Sequence, residues 1–279
     1  MNYERKVQSA IKLLQAIPTQ DGPIEVSYSG GKDSDVILEL AKMAGIPFEA
    51  IYKNTTIDPP GTVKHAKEMG ATIINPRRSF MDIVRDKGCP SRFSRFCCAE
   101  LKEYKVRERA IHGIRRCEST KRAQRYKEPE FCRLYPKGEK SRIYLPILEW
   151  TNEDVERFIN ERGIKCAPVY YDRDGTFHVE RRLGCIGCPL VADNGRGDFK
   201  KYPKLLRQYV RAATDYLSAH PSTRAAKEFH GDGAALVFRR LFFKNMEDYR
   251  NVVDGGLFPE MRVNPREYME KYFGIDLTP

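Results

Sequence analysis

Ser29-Gly30-Gly31-Lys32-Asp33-Ser34 is the stretch whose residue types most plainly could do chemistry. Its adjacent glycines leave the main chain bare, so phosphate oxygens can approach backbone N–H groups. Ser29 and Ser34 can donate hydroxyl hydrogen bonds, and Lys32 brings a point charge to a phosphate leaving group. An apolar strand pattern at Ile24–Ser29 precedes the turn, and a helical pattern follows it. That order aims N–H groups and the positive end of a helix dipole at one point, an anion cradle. Asp33 cannot favour phosphate directly, and its sensible use is to hold a Mg²⁺ that bridges phosphates. The bland reading is a tight βα turn without a ligand, which suits a lone glycine pair better than this longer pattern.

Arg115 and Arg116 form a second group, with Glu118, Ser119 and Arg122 close behind them. Planar guanidinium groups grip phosphate or sulfate through paired hydrogen bonds, which suits a second anion subsite facing the turn. A solvated basic helix start is the alternative. The third group is sulfur. Cys97-Cys98 and Cys185-x-x-Cys188 are spaced to bring thiolates to one small centre, and a pair at a helix N-terminus gains from its dipole. A zinc site of four cysteines, a redox dithiol and plain buried thiols all stay open on spacing alone. Arg92 and Arg95, beside the first pair, extend an anionic path or face solvent. Cys89, Cys117, Cys132 and Cys166 are individually unremarkable. His65, His112, His178, His220 and His230 lack metal-ligand spacing and receive no catalytic role, and Trp150 reads as core.

Secondary structure must position these residues. Strand patterns at 24–29, 47–55 and 71–76 alternate with helical patterns at 32–45 and 59–70, which implies parallel strands joined by crossover helices. In the first of these helices Val36, Ile37, Leu40 and Met43 share a face, and Gly45 closes it. Residues 79–88 and 98–111 read as helices, and 111–116 as a short strand. Lys121–Arg142 is charged with little periodicity and reads as a surface excursion, after which Arg142–Trp150 returns to the core as a buried strand end. Thr151 and Asp154 form a capping-box pattern for the next helix. From about Asp198 onward the spacing is mostly helical.

A chain of 279 residues, 41% hydrophobic and 31% charged, is long enough for one or two globular cores. No long uncharged apolar run marks a membrane span. The N-terminal stretch is an amphipathic helix, with Val7, Ala10, Ile11 and Leu14 on one face, and not a secretory signal. A cytoplasmic location is therefore expected, in which the eight cysteines are thiols or ligands and not disulfides. Lys plus Arg exceed Asp plus Glu by 49 to 38, a net +11, which favours anionic partners.

The turn resembles the pyrophosphate-loop (PP-loop) signature of the adenine nucleotide alpha-hydrolase-like superfamily, the ATP pyrophosphatases. The first two-thirds of the chain resembles the phosphoadenosine phosphosulfate (PAPS) reductase family within it. That family includes sulfonucleotide reductases, the small subunit of ATP sulfurylase and the ATP pyrophosphatases of DNA phosphorothioation. Tyr52–Asp58, Arg95–Lys102, Gly113–Arg122, Pro146–Val155 and Arg182–Pro189 carry the further likeness, in family order.

The resemblance implies an α/β fold: a doubly wound, mostly parallel, Rossmann-like sheet in a nucleotide-binding domain at 1–197, with a helical C-terminal portion at 198–279. It implies nucleotide contacts from Ser29, Gly30, Gly31, Lys32, Asp33, Ser34, Asn54, Arg115, Ser119 and Arg122, with Lys32, Asp33 and Arg115 in catalysis. The implied cofactors are ATP, Mg²⁺ on Asp33 with Asp58 or Asp35 next, and a 4Fe–4S cluster on Cys97, Cys98, Cys185 and Cys188, with Zn²⁺ as the alternative. Reductases of the family attack with a cysteine in a C-terminal Glu-Cys-Gly-Leu-His tail, and no cysteine follows Cys188 here. Reduction of adenylyl sulfate or PAPS therefore ranks below ATP pyrophosphatase chemistry with sulfur transfer, and a silent nucleotide or nucleic-acid binding module ranks third. Implied partners are an adenine nucleotide, a nucleic-acid acceptor and a sulfur donor such as a cysteine desulfurase or thioredoxin-like reductant, with a homodimer as the assembly to test.

Overall fold

In the computed structural model, which describes residues 2–104, 107–135, 138–255 and 261–277, the alternating residues Ile24, Val26 and Tyr28 make the central strand β1 (Ile24–Tyr28). Around it follow, in chain order, α1 (Tyr3–Gln15), α2 (Lys32–Ala44), β2 (Phe48–Lys53), α3 (Thr62–Glu68), β3 (Thr72–Ile74), α4 (Phe80–Lys87) and α5 (Phe96–Leu101). Next come β4 (Arg109–Ile111), α6 (Thr120–Arg125), β5 (Glu130–Leu134), β6 (Lys140–Tyr144) and α7 (Asn152–Arg162). The strands form one six-stranded sheet in the order β3-β2-β1-β4-β6-β5, parallel throughout except for the β5–β6 pair. The winding reverses between β1 and β4, and ligands of such sheets bind in the crevice beyond the strand ends at that point. The chain leaves β1 directly into 29–34 and β4 directly into 112–122, so topology alone brings the glycine turn and the arginine segment together.

Two compact units divide the chain, Met1–Pro76 with Ala99–Gly184 and Arg77–Cys98 with Cys185–Pro279. In the first, Ile24, Val26 and Tyr28 pack with Val36, Ile37 and Leu40 of α2, Ala10 and Leu14 of α1, and Trp150 and Phe158. Met43, expected on the buried face, is 36% exposed, because Ala41 and Ala44 take the buried positions of that last turn. The capping box of α7 is present: Thr151 Oγ accepts from the Asp154 N–H at 3.3 Å and Asp154 accepts from the Thr151 N–H at 2.7 Å.

Three expected elements differ. The helix expected over 98–111 stops at Leu101, and residues 105 and 106 lie outside the described ones. Arg109–Ile111 is a strand instead, because Ala110 and Ile111 are fully buried between β1 and β6. Within 121–142, whose residues 136 and 137 are also outside the described ones, β5 and β6 form an antiparallel edge pair. Beyond it, β6 ends at Tyr144, so Leu145, Ile147, Leu148 and Trp150 are buried in and beside a turn and not in a strand.

The second unit is helical: α4 with α8 (Arg196–Lys201), α9 (Pro203–Ala219), α10 (Arg224–Phe229), α11 (Gly233–Phe242), α12 (Met246–Val253) and α13 (Pro265–Phe273). Tyr209 of α9 stacks on Phe80 of α4 at 5.9 Å and on Phe199 of α8 at 5.6 Å. The 197/198 boundary expected from sequence falls inside α8. Among the described residues no helix is long and apolar enough to cross a membrane.

Candidate active site

Gly30 has φ +76°, and a Cβ there would lie 2.8 Å from Thr62 Cγ2, so this position needs glycine on both counts. Gly31 then caps α2 in an extended conformation without a capping side chain. Ser34 Oγ donates to Gly31 O at 2.7 Å, and Ser29 Oγ lies 3.3 Å from Ser34 Oγ and 3.4 Å from the Gly31 N–H. The serines thus hold the turn in shape.

Lys32 is 3% exposed, unusual for a lysine. Its Nζ lies 3.2 Å from Asp33, donates to Arg181 O at 3.4 Å and sits 5.4 Å from the centre of the Tyr170 ring. Burial pushes its pKa down, partly opposed by Asp33 and aided by Arg115. Arg115, at 1% exposure, donates from Nε to Asp33 at 2.7 Å and from Nη1 to Asn152 Oδ1 at 3.0 Å and Cys117 Sγ at 3.1 Å. Glu118 accepts from the Arg115 N–H at 3.2 Å and from the Arg122 guanidinium, while Arg182 donates to its carbonyl at 2.7 Å. Lys32, Arg115, Arg182, Cys117 and Asn152 line a cavity of about 240 Å³ together with Glu118, Glu153 and Glu180. The buried lysine and the buried arginine both pair with Asp33, and with Arg182 they set three cations among the three carboxylates of this hollow's wall.

A second cavity of about 370 Å³ is lined by Ser29, Tyr52, Thr55, Asp58 and Arg122 among others. Its floor carries Glu25 and Ser27, which alternate with the core-facing residues of β1. Ser27 Oγ donates to Glu25 at 2.7 Å and lies 3.1 Å from His112 Nε2, whose pKa burial pushes down to about 4.

Other expected site residues stand elsewhere. Asn54 bonds to Asn75 at 3.0 Å and accepts from the Thr56 N–H at 2.9 Å, shaping the loop after β2. Ser119 is the N-cap of α6, accepting from the Arg122 N–H at 3.2 Å. Asp35 is fully buried, with Oδ1 taken by Tyr28 and by His65 at 3.0 Å, and lines neither of these two cavities. Asp58 accepts from Tyr52 OH at 2.5 Å. Sequence reasoning missed Asn152, Tyr170, Arg182 and the cavity position of Cys117. Only the Arg181-Arg182 pair before the Gly-Cys loop offered a signal. A groove of about 580 Å³ on the second unit, lined by Ser222, Arg224, Lys227, Glu228 and His230, contains none of the expected site residues.

The cysteine pairs belong to the second unit, where all four thiols are partly exposed. Cys97 and Cys98 lie at the start of α5, and Arg95 Nη2 donates to Cys98 Sγ at 3.6 Å. The pKa of Cys97 is raised by its hydrogen bond with Cys98, by burial and by the neighbouring Cys98, Cys185 and Cys188. Arg240, 6% exposed, donates to Pro90 O at 3.3 Å, Asn194 O at 3.0 Å and Gly187 O, tying together the segments that carry both pairs. Gly187 has φ +69° and packs its bare Cα under Phe199 and Gly195. Among the described residues no three His, Cys, Asp or Glu side chains are gathered closely enough to hold one metal ion.

A mostly parallel sheet whose first strand leads into a glycine turn at the switch point is an α/β arrangement of the adenine nucleotide alpha-hydrolase-like, PP-loop class. The family model described as phosphoadenosine phosphosulfate reductase domain matches residues 23–191, and the chain belongs to that family. An uncharacterised protein of Methanocaldococcus jannaschii is 26% identical over 78% of this chain and 47% of its own length. Sulfate adenylyltransferase subunit 2 of Shewanella putrefaciens is 23% identical over 92% of this chain and 94% of its own. Among solved structures, FMN adenylyltransferase of Candida glabrata aligns over 66% of this chain and 62% of its own, with TM-score 0.46 and 15% identity. The chain spans about half the length of the two Methanocaldococcus proteins it matches.

Proposed function

We propose that the protein is an ATP pyrophosphatase that activates an acceptor for sulfur transfer. An acceptor oxygen attacks the α-phosphorus of ATP, the bond to the bridging oxygen breaks, and pyrophosphate leaves with that electron pair. The convergence of buried Lys32 and buried Arg115 on the cavity beside the glycine turn carries this reading. Both charges are fixed before the ligand arrives, so they stabilise developing negative charge with little reorganisation. Ser29, Ser34, Asn54 and Ser119 hold the surrounding backbone, and Arg122 presents a second guanidinium to the larger cavity, where the nucleoside fits.

Asp33, now paired with Arg115 and Lys32, is the carboxylate that would hold Mg²⁺, whose charge would offset that of the phosphates; Asp58 faces the larger cavity, whereas Asp35 is enclosed and drops behind both. Cys97, with Cys98, Cys185 and Cys188 as its neighbours, is where a sulfur-ligated 4Fe–4S cluster would be held, with Zn²⁺ as the alternative. The domain division at 197/198, the nucleic-acid acceptor, the sulfur-donor partner and the cytoplasmic location belong to the same reading.

The second reading is a thiol-dependent sulfonucleotide reductase, favoured by the family that the chain belongs to. Isotope exchange between ATP and pyrophosphate tests the first reading. Exchange that disappears in Lys32→Ala supports it, whereas sulfite release from PAPS without exchange supports the second. ATP binding with neither reaction leaves a silent binding module.

A further inference from the structure

Phe93 of the helical unit is 97% exposed, yet the turn that carries it is braced. Ser91 Oγ accepts from the Phe93 N–H at 3.2 Å and the Ser94 N–H at 3.0 Å, and the Ser91 N–H donates to Ser94 O at 3.1 Å. Arg92 donates from Nη2 to Val191 O at 2.7 Å and from Nε to Asn194 Oδ1 at 3.3 Å. Asn194 in turn donates to Leu241 O at 3.3 Å, beside a second group of rings and cations. There Phe242 lies 5.3 Å from Tyr268 and 5.1 Å from Tyr272. Arg196 sits 5.2 Å from the centre of the Phe242 ring, and Lys200 Nζ sits 4.1 Å from that of Tyr272. Tyr268, nearly parallel to Tyr272, is 42% exposed. Among the described residues none of Arg92, Arg196 and Lys200 pairs with a carboxylate. The acids of the same segments are occupied: Asp193 and Asp198 accept from backbone N–H groups of Gly195, Gly197 and Gly187, Glu270 from that of Leu277, and Glu267 from the Asn264 amide. This unit is the shorter of the two and holds the larger share of the chain's positive surplus.

We propose that this surface binds a single-stranded polynucleotide, with bases stacking on Phe93 and Tyr268 and phosphates meeting Arg92, Arg196 and Lys200. Exposed rings alternating with cations match the two chemistries that such a strand repeats along its length, a π face and a negative charge. A duplex offers the charge but keeps its base faces stacked, so it satisfies only half of the surface. An apolar pocket on a partner protein would want apolar residues around its anchor, whereas Phe93 stands between serines and arginines in its turn. The contacts reach base faces and phosphates and not the sugar, so DNA and RNA strands bind alike. The proposal gives the nucleic-acid acceptor of the reading above its surface, and it needs no ATP.

The test measures fluorescence anisotropy of labelled oligonucleotides of about 20 nucleotides with the full-length protein, without ATP, across a salt series. Single-stranded DNA and RNA should bind about equally, and about tenfold or more tighter than the duplex of the same sequence. Phe93→Ala should weaken strand binding about tenfold with the salt dependence and melting temperature unchanged, and Phe93→Trp should restore it. Arg92→Ala should instead flatten the plot of log affinity against log salt by about 0.7, one phosphate contact. Three results would each overturn the proposal: no strand binding at low salt, equal binding of duplex or of polyglutamate, or full affinity in Phe93→Ala. ATP–pyrophosphate exchange is read separately. Its absence beside intact strand binding removes the ATP reading alone, and its presence without strand binding removes this surface alone.

Discussion

Lys32 carries its charge where water scarcely reaches, and burial is the first cause of its lowered pKa. Between that lowered value and its ordinary 10.5, the unfolded chain holds a proton that the folded chain has released. Stability therefore rises with pH across that window. An anion beside Nζ restores the charge, so binding in the same window takes up a proton. Calorimetry of pyrophosphate binding in two buffers of different ionisation enthalpy should show this uptake, and Lys32→Met should abolish the buffer dependence; proton release would contradict the assignment. Arg115 is the structural counterpart. Arg115→Ala takes the donor from Asn152 Oδ1 and leaves Asp33 with Lys32 alone, and should lower unfolding free energy by about 3–5 kcal/mol, read from denaturant midpoints. A fall under about 1 kcal/mol would mean that the guanidinium is not buried as described. Asp33, already held between two cations, should bind Mg²⁺ weakly alone and well only together with pyrophosphate, which titration in both orders checks.

The turn between β1 and α2 is the element on which the site depends. Gly30→Ala places a Cβ against Thr62 and forces an L-residue into the left-handed region, at about 1–2 kcal/mol for the backbone alone. It should lower the melting temperature and weaken pyrophosphate binding, whereas Gly45→Ala, with open space around its Cβ, should affect stability only. This turn was legible in sequence because its strand, glycines and helix agree locally. The arginine segment was legible as chemistry, but its partners were not. Asn152 reaches Arg115 only because α7 starts where Thr151 and Asp154 cap it, and Cys117 lines the cavity only because Trp150 fixes the turn opposite. Such contacts span long stretches of chain and leave no periodic trace. Strand β4 was misread because Ala110 and Ile111 show their burial only once β1 and β6 flank them. Met43 continued a helical stripe that two alanines had taken over.

Across the whole molecule, the charge surplus and the paired cysteines are the features that composition reveals. Iron analysis and an optical spectrum of anaerobically purified protein should give about four irons per chain and broad visible absorption. Cys185→Ser should remove both, and one zinc per colourless chain would replace the cluster assignment. Arg240→Ala should lower the iron content too, because it frees the carbonyls of Gly187 and Asn194.

The interleaved division at 76/77, 98/99 and 184/185 has a topological outcome. Three peptide tethers join the halves, so one protease nick in any of them cannot set either half loose. A gene truncated to residues 198–279 would make α9 without Phe80, its ring partner from far upstream, and should yield an unstructured fragment.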